Sequence, residues 1–492
     1  MPTREPVTVG GNRREALAHV SGALTAARVP HFFVPTYIGT PPRFGVLERD
    51  RSDALRALRA AADADVWRAV PWQAADGANP VALADLPDDA DDAGWRVFRP
   101  HTWADSPFEL GRESGVLVEF WRETDRGWES RLHNPVACIL PAASREPTTV
   151  DVAGASYPTL TGLTQPPWDE VTFPVDVVYT WVDGADPEWM RDRDRRLDGL
   201  GGAGAVRAEA RHDIRFADHG ELRYSLRALE QFMPWVRKVF VVTADQRPSW
   251  LVADHPRLSV VSHRDILDSG ALPTFSSLAI ETALHHIDGL ADHYLYFNDD
   301  VFVGRPLGPR DFFLANGMSK FFPQTRAELD PGPWSADEPP IAGINKRTRD
   351  LLVQQFGRRI SHHLTHAPHP QQRGVLAEIE DVFPDAVRRT RCSPFRSADD
   401  IAMATTLHHY FAFYSGRAVP GSLRYTGVRL GGEDLRDRLR EVLRARPQSF
   451  CLNDTITDVP SPERRARMIG RFLERYFPEP SSFEVGSEDG GI

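Results

Sequence analysis

The 492-residue sequence has few cysteines and few lysines. Its three cysteines, Cys138, Cys392 and Cys451, are widely separated and odd in number, so they predict neither a disulfide framework nor a zinc-binding spacing. This usage favours a reducing compartment. Lysine occurs at only three positions, so arginine carries almost all of the positive charge. Arginine can hold phosphate through paired hydrogen bonds, but a compositional bias of the genome is the simpler explanation.

The sequence also lacks long hydrophobic runs and common nucleotide-binding motifs. No window approaches the roughly eighteen apolar residues of a membrane-spanning helix, and the first residues lack the apolar segment of a signal peptide. We therefore expect a cytoplasmic protein that contacts, at most, the inner face of the membrane. The formal net charge of −11 argues against nucleic acid as a partner. The missing Walker A and dinucleotide glycine motifs argue against common kinases and dehydrogenases.

The chain has enough apolar residues, 41% of the total, to form two or three domains. Residues 1–168 mix helical arginine- and alanine-rich stretches with short β-like runs, which predicts a small N-terminal α/β or α+β domain of unknown role. Turn-forming residues in "TGLTQPPWDEVTFP" predict that it ends near residues 165–174. Residues 169–460 are the predicted second domain, and residues 461–492 an amphipathic helix and tail.

After residue 174, apolar runs typical of β-strands alternate with stretches of helical periodicity. The runs "VDVVYTWVDG", "VRKVFVVT", "RLSVVSH" and "HYLYFND" predict strands, and "GELRYSLRALEQF" and "SSLAIETALHHIDGL" predict helices. This alternation predicts an α/β domain with a mostly parallel sheet, whose ligands lie beyond the carboxyl ends of the strands. Polar residues follow all four runs, although such residues also form ordinary turns.

The stretch "YLYFNDDVFVGRPL", residues 294–307, places Asn298, Asp299 and Asp300 between two apolar runs. Ionised carboxylates are costly to bury unless a cation or hydrogen-bond donors compensate them, so the triplet indicates a strand tip that faces a cleft. In nucleotide-sugar transferases, carboxylates at such a tip hold a divalent cation that bridges the diphosphate. Taken alone, the triplet is more simply interpreted as a turn.

Four blocks of sequence resemble the Stealth family of sugar-phosphate transferases, which includes bacterial capsule polymerases and the animal N-acetylglucosamine-1-phosphotransferase. The blocks are "PVDVVYTWVDG"; a long block that contains "RFADHGELRYSLRALEQF", "LPTFSSLAIETALHHIDGL" and "YLYFNDDVF"; "HAPHP" with "FRSADDI"; and "CLND". They occur in the order of the family and cover most of residues 174–455. An ordered set of this kind is far more specific than one short motif.

The resemblance implies a Rossmann-like, or GT-A-like, catalytic domain and a particular reaction. Family members transfer a hexose 1-phosphate from a nucleotide sugar to a hydroxyl of another sugar. For this chain the resemblance implies a UDP-sugar donor, with N-acetylglucosamine as one candidate hexose, a saccharide acceptor, and release of UMP as a phosphodiester forms. The expected cofactor is a divalent cation, Mg²⁺ or Mn²⁺. The expected setting is exopolysaccharide or capsule synthesis.

The resemblance also assigns candidate residues. Asp300 matches an essential carboxylate and is expected to bind the cation or to orient the reacting groups, with Asp454 completing the metal or phosphate site. His369 is expected to act as the base toward the acceptor hydroxyl, and Arg396 to hold phosphate. Glu281 is expected to bind the donor sugar, although periodicity alone predicts a solvated side chain. The remaining donor-binding candidates lie in the matched blocks: Asp183, Arg223, Asp245, Gln246 and Asn298.

Simpler interpretations exist for several of these residues. Arg396 has Asp399 and Asp400 nearby as salt-bridge partners, and Asp454 fits a capped turn. The histidines around His369 form no regular zinc pattern, because prolines interrupt the segment and no cysteine or carboxylate is suitably near. The arginine-rich amphipathic helix near the C-terminus is expected to pack on the core or, alternatively, to contact an anionic membrane.

Two other functions are compatible with the same residues. A conventional metal-dependent glycosyltransferase uses the same donor but releases UDP. A non-catalytic carbohydrate-binding protein keeps the fold for recognition without turnover. The candidate base argues against this second alternative, because recognition alone needs no base.

Overall fold

The computed structural model describes residues 7–62, 66–72, 79–87, 93–202, 206, 213–326, 328–335, 337–453 and 462–485. The chain divides into two compact units. The first comprises Met1–Glu170 with Gln231–Pro234, and the second comprises Val171–Glu230 with Trp235–Ile492. Each unit has its own hydrophobic core.

The first unit packs helices against a mixed sheet. Its helices and strands are α1 (Val9–Ala26), α2 (Arg51–Ala60), β1 (Phe32–Val34), β2 (Arg43–Leu47), β3 (Arg68–Pro71), β4 (Val81–Ala82), β5 (Gly94–Phe98), β6 (His101–Thr102), β7 (Glu109–Leu110), β8 (Val116–Thr124), β9 (Gly127–Ser130), β10 (Ile139–Leu140), β11 (Pro147–Val152) and β12 (Ala155–Leu160). The main sheet has the order β1-β2-β8-β5-β3-β4, with β9 beside β8 and β10 beside β9. Leu17 of α1, Leu55 of α2 and Val118 of β8 lie together in its core.

The second unit carries the four matched blocks. Its helices are α3 (Pro187–Gly199), α4 (Glu221–Phe232), α5 (His263–Ile266), α6 (Ser277–Glu281), α7 (Pro340–Phe356), α8 (Arg373–Val382), α9 (Pro384–Arg391), α10 (His408–Tyr414), α11 (Leu435–Ala445) and α12 (Pro462–Tyr476). Its strands are β13 (Val175–Thr180), β14 (Val239–Thr243), β15 (Leu258–Ser262), β16 (His293–Asn298), β17 (Val301–Val303), β18 (Ser319–Phe321), β19 (His369–Gln372), β20 (Ala418–Pro420), β21 (Tyr425–Arg429) and β22 (Ser449–Asn453).

The central sheet of this unit has the order β15-β14-β13-β16-β19. The first four strands are parallel and coincide with the four predicted runs, while β19 is antiparallel at the edge. The prediction of an α/β unit with a mostly parallel sheet is therefore confirmed. The strand order changes direction at β13, because β14 and β15 lie on one side of it and β16 on the other. Ligands of open α/β sheets bind at such a switch point.

One predicted helix is confirmed and another is wrong in extent. The apolar stripe of α4 is buried, as its periodicity predicts: Leu222, Leu226, Leu229 and Phe232. The helix predicted from "SSLAIETALHHIDGL" ends at Glu281, and a separate 3₁₀ turn follows at Leu284–His286. Periodicity did not reveal this break because Ile280, Leu284 and Ile287 all pack in the same core.

The C-terminal helix α12 packs on the second unit. Its apolar residues Ile469, Phe472 and Leu473 are buried. Tyr476 donates a hydrogen bond to the carbonyl of Gly304 at 3.0 Å. The structure therefore shows this helix packed on the core, which was the first of the two predicted arrangements. Among the described residues, no helix is both long enough and apolar enough to cross a membrane.

Candidate functional site

An acidic tip ends strand β16 at the carboxyl edge of the parallel sheet. Asn298 closes the strand opposite Thr180 of β13, and half-buried Asp299 and Asp300 follow in a turn. Burial, then repulsion from Asp300 and Asp218, raises the pKa of Asp299 well above its ordinary value. Burial also raises the pKa of Asp300. The tip therefore holds carboxyl groups whose negative charges repel one another.

Asp218 and Glu221 also belong to this tip, although neither is among the predicted site residues. Glu221 begins α4 and is 5% exposed. Burial, then repulsion from Asp299 and Asp218, raises the pKa of Glu221 well above its ordinary value. Asp218 accepts hydrogen bonds from the indole of Trp181 at 3.2 Å and the amide of Gly220 at 2.7 Å. The available signal was their position in the matched block "RFADHGELR".

A hydrogen-bonded chain leads from Asn298 to Asp300. The amide nitrogen of Asn298 lies 2.9 Å from Nε2 of His366, whose Nδ1 lies 3.2 Å from the sulfur of Cys451. The Cys451 thiol donates to Oδ2 of Asp300 at 3.4 Å. The expectation that no cysteine or carboxylate is suitably near these histidines is wrong. Strands β16 and β22, distant in sequence, bring both groups to His366.

His369 begins β19, opposite Tyr296 of β16. Its Nδ1 lies 3.1 Å from Nε2 of His409. The amide nitrogen of Gln371, which donates to the carbonyl of Ala404 at 2.8 Å, also faces Nε2 of His409 at 3.4 Å. A nitrogen that faces an amide donor acts as an acceptor, so the proton between the two rings belongs to Nδ1 of His369. The lone pair of His369 is then on Nε2.

The Nε2 atom of His369 is buried and has no hydrogen-bond partner among the described residues. Burial, with His409 and His366 nearby, lowers the pKa of His369 well below its ordinary value, so the ring is neutral at pH 7. A neutral imidazole with an available lone pair can accept a proton from a hydroxyl.

Glu281, at the end of α6, interacts with Arg396 in the protein interior. Glu281 is 2% exposed, so the solvated side chain expected from periodicity alone is wrong. Burial raises the pKa of Glu281 to about 7, and the positive charge of Arg396 opposes this increase. Oε2 of Glu281 accepts a hydrogen bond from the Thr405 hydroxyl at 3.4 Å.

Arg396 has guanidinium nitrogens that can still bind a ligand. Its Nη2 donates to the hydroxyl of Ser277 at 2.9 Å, and its buried Nε has no hydrogen-bond partner in the described part of the chain. The simpler interpretation as a salt bridge is not what the structure shows. Asp399 pairs with Arg347, and Asp400 accepts a hydrogen bond from the amide of Ser397 at 2.7 Å.

These groups form one connected region around Tyr296. The ring centroids of His366 and His369 are 6.3 Å apart, and those of His369 and Tyr296 are 6.4 Å apart. The charges of Glu281, Asp299 and Arg396 all act on the Tyr296 hydroxyl. The structure thus brings together five predicted residues: Asn298, Asp300, His369, Arg396 and Glu281.

The other predicted residues are engaged elsewhere or lie outside the described residues. The side chain of Gln246 accepts from the backbone amide of Asp183 at 3.0 Å and donates to its carbonyl at 2.9 Å, which joins the loops after β13 and β14. Asp245, at a left-handed φ of 60°, accepts a hydrogen bond from Arg264 at 2.7 Å. Asp454 lies outside the described residues.

Arg223 is engaged by the C-terminal segment. Its guanidinium forms an ion pair with Glu484, a buried residue that also pairs with Arg227. Arg223 lies within a matched block, and its guanidinium is held by this carboxylate. Its assignment as a donor-binding residue stays a prediction.

Glu281 makes protein stability depend on pH in a definite direction. The folded carboxyl group keeps its proton up to about pH 7, whereas the unfolded group loses it near its ordinary value of 4.5. The contribution of Glu281 to stability is therefore full below pH 4.5 and is lost as the pH rises through 7. The total loss is about 3 kcal/mol, at about 1.4 kcal/mol per pKa unit.

We expect Glu281→Gln to remove the loss of stability that accompanies deprotonation of Glu281, because glutamine has no proton to lose in this pH range. Relative to the unchanged protein, the variant should gain up to about 3 kcal/mol of unfolding free energy between about pH 5 and pH 8. Urea denaturation at the two pH values measures this difference. Glu433→Gln, at an exposed position, is the matched control and should show no such change. The prediction would be contradicted if the unfolding free energies of Glu281→Gln and the unchanged protein differed by the same amount at both pH values.

Four family descriptions match the second unit of the chain. They are "Stealth protein CR1, conserved region 1" at residues 173–201, "CR2" at 215–321, "CR3" at 365–413 and "CR4" at 440–489. Each block on which the resemblance was based lies in the corresponding region. The chain belongs to the Stealth family. This membership confirms the resemblance.

Curated Stealth relatives match almost the whole chain. The exopolysaccharide phosphotransferase SCO6023 of Streptomyces coelicolor is 39% identical over 98% of this chain and 84% of the relative. The exopolysaccharide phosphotransferase CpsY of Mycobacterium tuberculosis is 35% identical over 96% of this chain and 89% of the relative. For SCO2592 of Streptomyces coelicolor, the identity is 42% over 80% of this chain, which spans 42% of that relative.

Similarity to solved structures is much weaker. The bifunctional glycosyltransferase WbbM matches with a TM-score of 0.29 and 11% identity, over 60% of this chain and 49% of that chain. The galactosyltransferase LgtC matches with a TM-score of 0.28 and 10% identity, over 60% of this chain and 95% of that chain. The fold assignment therefore rests on the sheet itself.

Proposed function

We propose that the protein transfers a hexose 1-phosphate from a UDP-sugar to a hydroxyl of a saccharide acceptor in exopolysaccharide synthesis. It is a sugar-phosphate transferase, and its relatives are named exopolysaccharide phosphotransferases. The observation that carries the proposal is the meeting of three groups at one end of β16. These are the acidic tip at Asp300, the neutral imidazole of His369 and the guanidinium of half-buried Arg396.

His369 is the proposed base. Its Nε2 accepts the proton of the acceptor hydroxyl, and the oxygen then attacks the phosphorus attached to the donor sugar. A new bond forms between that oxygen and phosphorus, and the bond from phosphorus to the bridging oxygen of the diphosphate breaks. UMP leaves with the electron pair of that bond. His409 positions the ring through the hydrogen bond to Nδ1 at 3.1 Å.

Arg396 is the proposed phosphate ligand, and Glu281 binds the donor sugar. The buried Nε of Arg396, which lacks a partner among the described residues, can donate to a diphosphate oxygen. Burial lowers the pKa of Arg396, while Glu281 opposes the decrease, and the guanidinium remains protonated at pH 7. Asn298, Asp183, Asp245, Gln246 and Arg223 stay donor-binding candidates.

The acidic tip fits a divalent cation, Mg²⁺ or Mn²⁺. Oδ1 of Asp300 is buried without a hydrogen-bond partner in the described residues, and Asp299 and Glu221 repel each other beside it. Oxygen ligands of this kind are those that Mg²⁺ and Mn²⁺ prefer, and Asp454 stays a candidate ligand. A cation held by these carboxylates would neutralise charge that develops on the leaving nucleotide.

The parallel strands also support a Rossmann-like topology. Numbered along the chain, β13 to β16 have the spatial order 3-2-1-4, as in the first half of a doubly wound sheet. In that arrangement a nucleotide lies beyond the carboxyl ends of β13 and β16, where the acidic tip is. A cytoplasmic location and peripheral membrane contact stay predictions.

Product analysis tests the proposed reaction. The full chain is incubated with a panel of UDP-sugars, saccharide acceptors and Mg²⁺ or Mn²⁺, and a parallel sample contains a chelator. We expect UMP and a new phosphodiester phosphorus signal with the metal, and neither product with the chelator. UDP with a glycosidic bond would instead identify a conventional glycosyltransferase. Glycan binding without turnover across the panel would identify a carbohydrate-binding protein.

A further inference from the structure

A second cluster of metal-binding side chains lies at the other end of β16. It consists of His285 and His286 on the 3₁₀ turn and Glu380 on α8. The cluster borders a cavity of about 570 Å³ that Asp292 also lines. Asp292 precedes the first residue of β16, whereas Asn298 is its last residue. The strand separates this cavity from the acidic tip by roughly 17 Å.

The three side chains converge on one point. Nε2 of His285 lies 2.8 Å from Oε2 of Glu380, and Nε2 of His286 lies 3.1 Å from the same oxygen. All three ligand atoms are within 4.8 Å of one another. Tetrahedral Zn²⁺ with bonds of about 2.0 Å to nitrogen and oxygen separates its ligand atoms by about 3.3 Å. The two distances between histidine nitrogens and the Glu380 oxygen are already close to this spacing.

The hydrogen bonds of His286 leave a lone pair directed at a carboxylate. Nδ1 of His286 faces the carbonyl oxygen of Ile266 at 3.3 Å, and a carbonyl can only accept, so Nδ1 carries the proton. In a neutral ring, Nε2 then has its lone pair toward Oε2 of Glu380. Two acceptors 3.1 Å apart repel unless a cation lies between them or a second proton is bound.

The surroundings of His286 and Glu380 match the support that metal-binding side chains receive. A histidine ligand commonly donates its other ring N–H to a backbone carbonyl, as His286 does to Ile266. Oε1 of Glu380 accepts from Arg391 at 2.6 Å, which directs Oε2 toward the histidines. Arg391 also donates to the carbonyl of Thr282 at 2.8 Å. The exposed fractions of His286 and Glu380, 39% and 28%, leave room for an ion to enter and for water as a further ligand.

We infer that His285, His286 and Glu380 form a binding site for a transition-metal ion of the Zn²⁺ class. Two imidazoles and one carboxylate form a ligand set that suits Zn²⁺ better than Mg²⁺. The bound ion joins the 3₁₀ turn to α8 and, through Arg391 and Thr282, steadies the segment that follows Glu281. The site is separate from the acidic tip and does not depend on the proposed sugar-phosphate transfer.

Zinc binding to the full chain tests this inference. The protein is freed of metal by a chelator, dialysed, and titrated with Zn²⁺ alone by equilibrium dialysis. We expect His286→Gln and Glu380→Gln each to bind one equivalent fewer than the unchanged protein. Glutamine at 286 can still hydrogen-bond to Glu380, so this variant separates metal binding from hydrogen bonding. Zn²⁺ should also raise the Tm of the unchanged protein and not that of His286→Gln.

Two further variants identify the source of any bound ion. His133→Gln, an exposed histidine of the first unit, should bind Zn²⁺ as the unchanged protein does. Asp300→Asn should keep the equivalent that His286→Gln loses, because that ion does not belong to the acidic tip. If His286→Gln and Glu380→Gln bound as much Zn²⁺ as the unchanged protein, the three side chains would form ion pairs with one another and no metal site. If the unchanged protein bound one Zn²⁺ and only Asp300→Asn lost it, the ion would belong to the acidic tip. Either result overturns the inference.

Discussion

Replacing His369 with glutamine should lower kcat about 10²- to 10⁴-fold, the range that a general base contributes. The neutral ring has its lone pair on buried Nε2, and its centroid lies 6.4 Å from that of Tyr296. A glutamine side chain can keep the hydrogen bond to His409 but cannot accept the proton of the acceptor hydroxyl. The rate of UMP release at saturating UDP-sugar measures the effect.

The matched control is His363→Gln. His363 lies in the same segment and is half-buried, but it makes none of the contacts described above around Tyr296. We expect its kcat to stay within about twofold of the unchanged value, as for a substitution away from the reacting groups. Both variants should bind the UDP-sugar with similar affinity. If His369→Gln kept more than a tenth of the original kcat while remaining folded, His369 could not be the base.

Removing Arg227 should cost about 3–5 kcal/mol of unfolding free energy, because it leaves the buried carboxylate of Glu484 with only the partly exposed Arg223 as its ion-pair partner. The side chains of Arg227 and Glu484 are only 5% and 2% exposed. Two guanidinium nitrogens of Arg227 lie 2.8 and 3.0 Å from the two oxygens of Glu484. Arg227→Met and Glu484→Met should each show the loss in urea denaturation at pH 7.

The double variant and a neighbouring arginine provide the controls. Arg227→Met with Glu484→Met should be more stable than either single variant, because neither charge is then left unpaired. Arg223→Met should cost less than about 1 kcal/mol, the usual range for a partly exposed ion pair. The exposed fraction of Arg223 is 37%. Single variants within about 1 kcal/mol of the unchanged protein would show that the C-terminal segment does not depend on this pair.

The predictions that held concern local patterns. The runs around Val177, Val241 and Tyr296 predict strands because apolar residues of high β-propensity follow one another between turn formers. The stripe of α4 predicts a buried face because its apolar side chains recur at helical spacing. The α6 prediction was wrong in extent because periodicity reports which residues face the core and not whether the backbone stays helical. The same limit made Glu281 look solvated.

Some residues of the candidate site could be predicted from the sequence and others could not. Asp300, His369 and Arg396 were identified because each lies in a block that resembles the family, whereas periodicity alone indicates none of them. His366 and Cys451 were missed as neighbours of Asp300, since Cys451 lies 151 residues from Asp300 and 85 residues from His366 in the sequence. Pairing of β17 with β22 brings Cys451 beside Asp300, and pairing of β16 with β19 brings in the segment that contains His366. Similarly, nothing near Arg223 in the sequence indicates that Glu484 is its partner.

By itself, the sequence determined the parallel strands, the acidic residues at the end of one of them, and membership of the Stealth family. Only the tertiary structure decided which nitrogen of His369 carries the proton, which carboxylates repel Asp299, and that His285, His286 and Glu380 meet. Strands and family motifs are patterns of residues that lie close together in the chain, so the sequence displays them directly. Protonation and ion pairing depend on burial and on distant neighbours, and these exist only after the chain has folded.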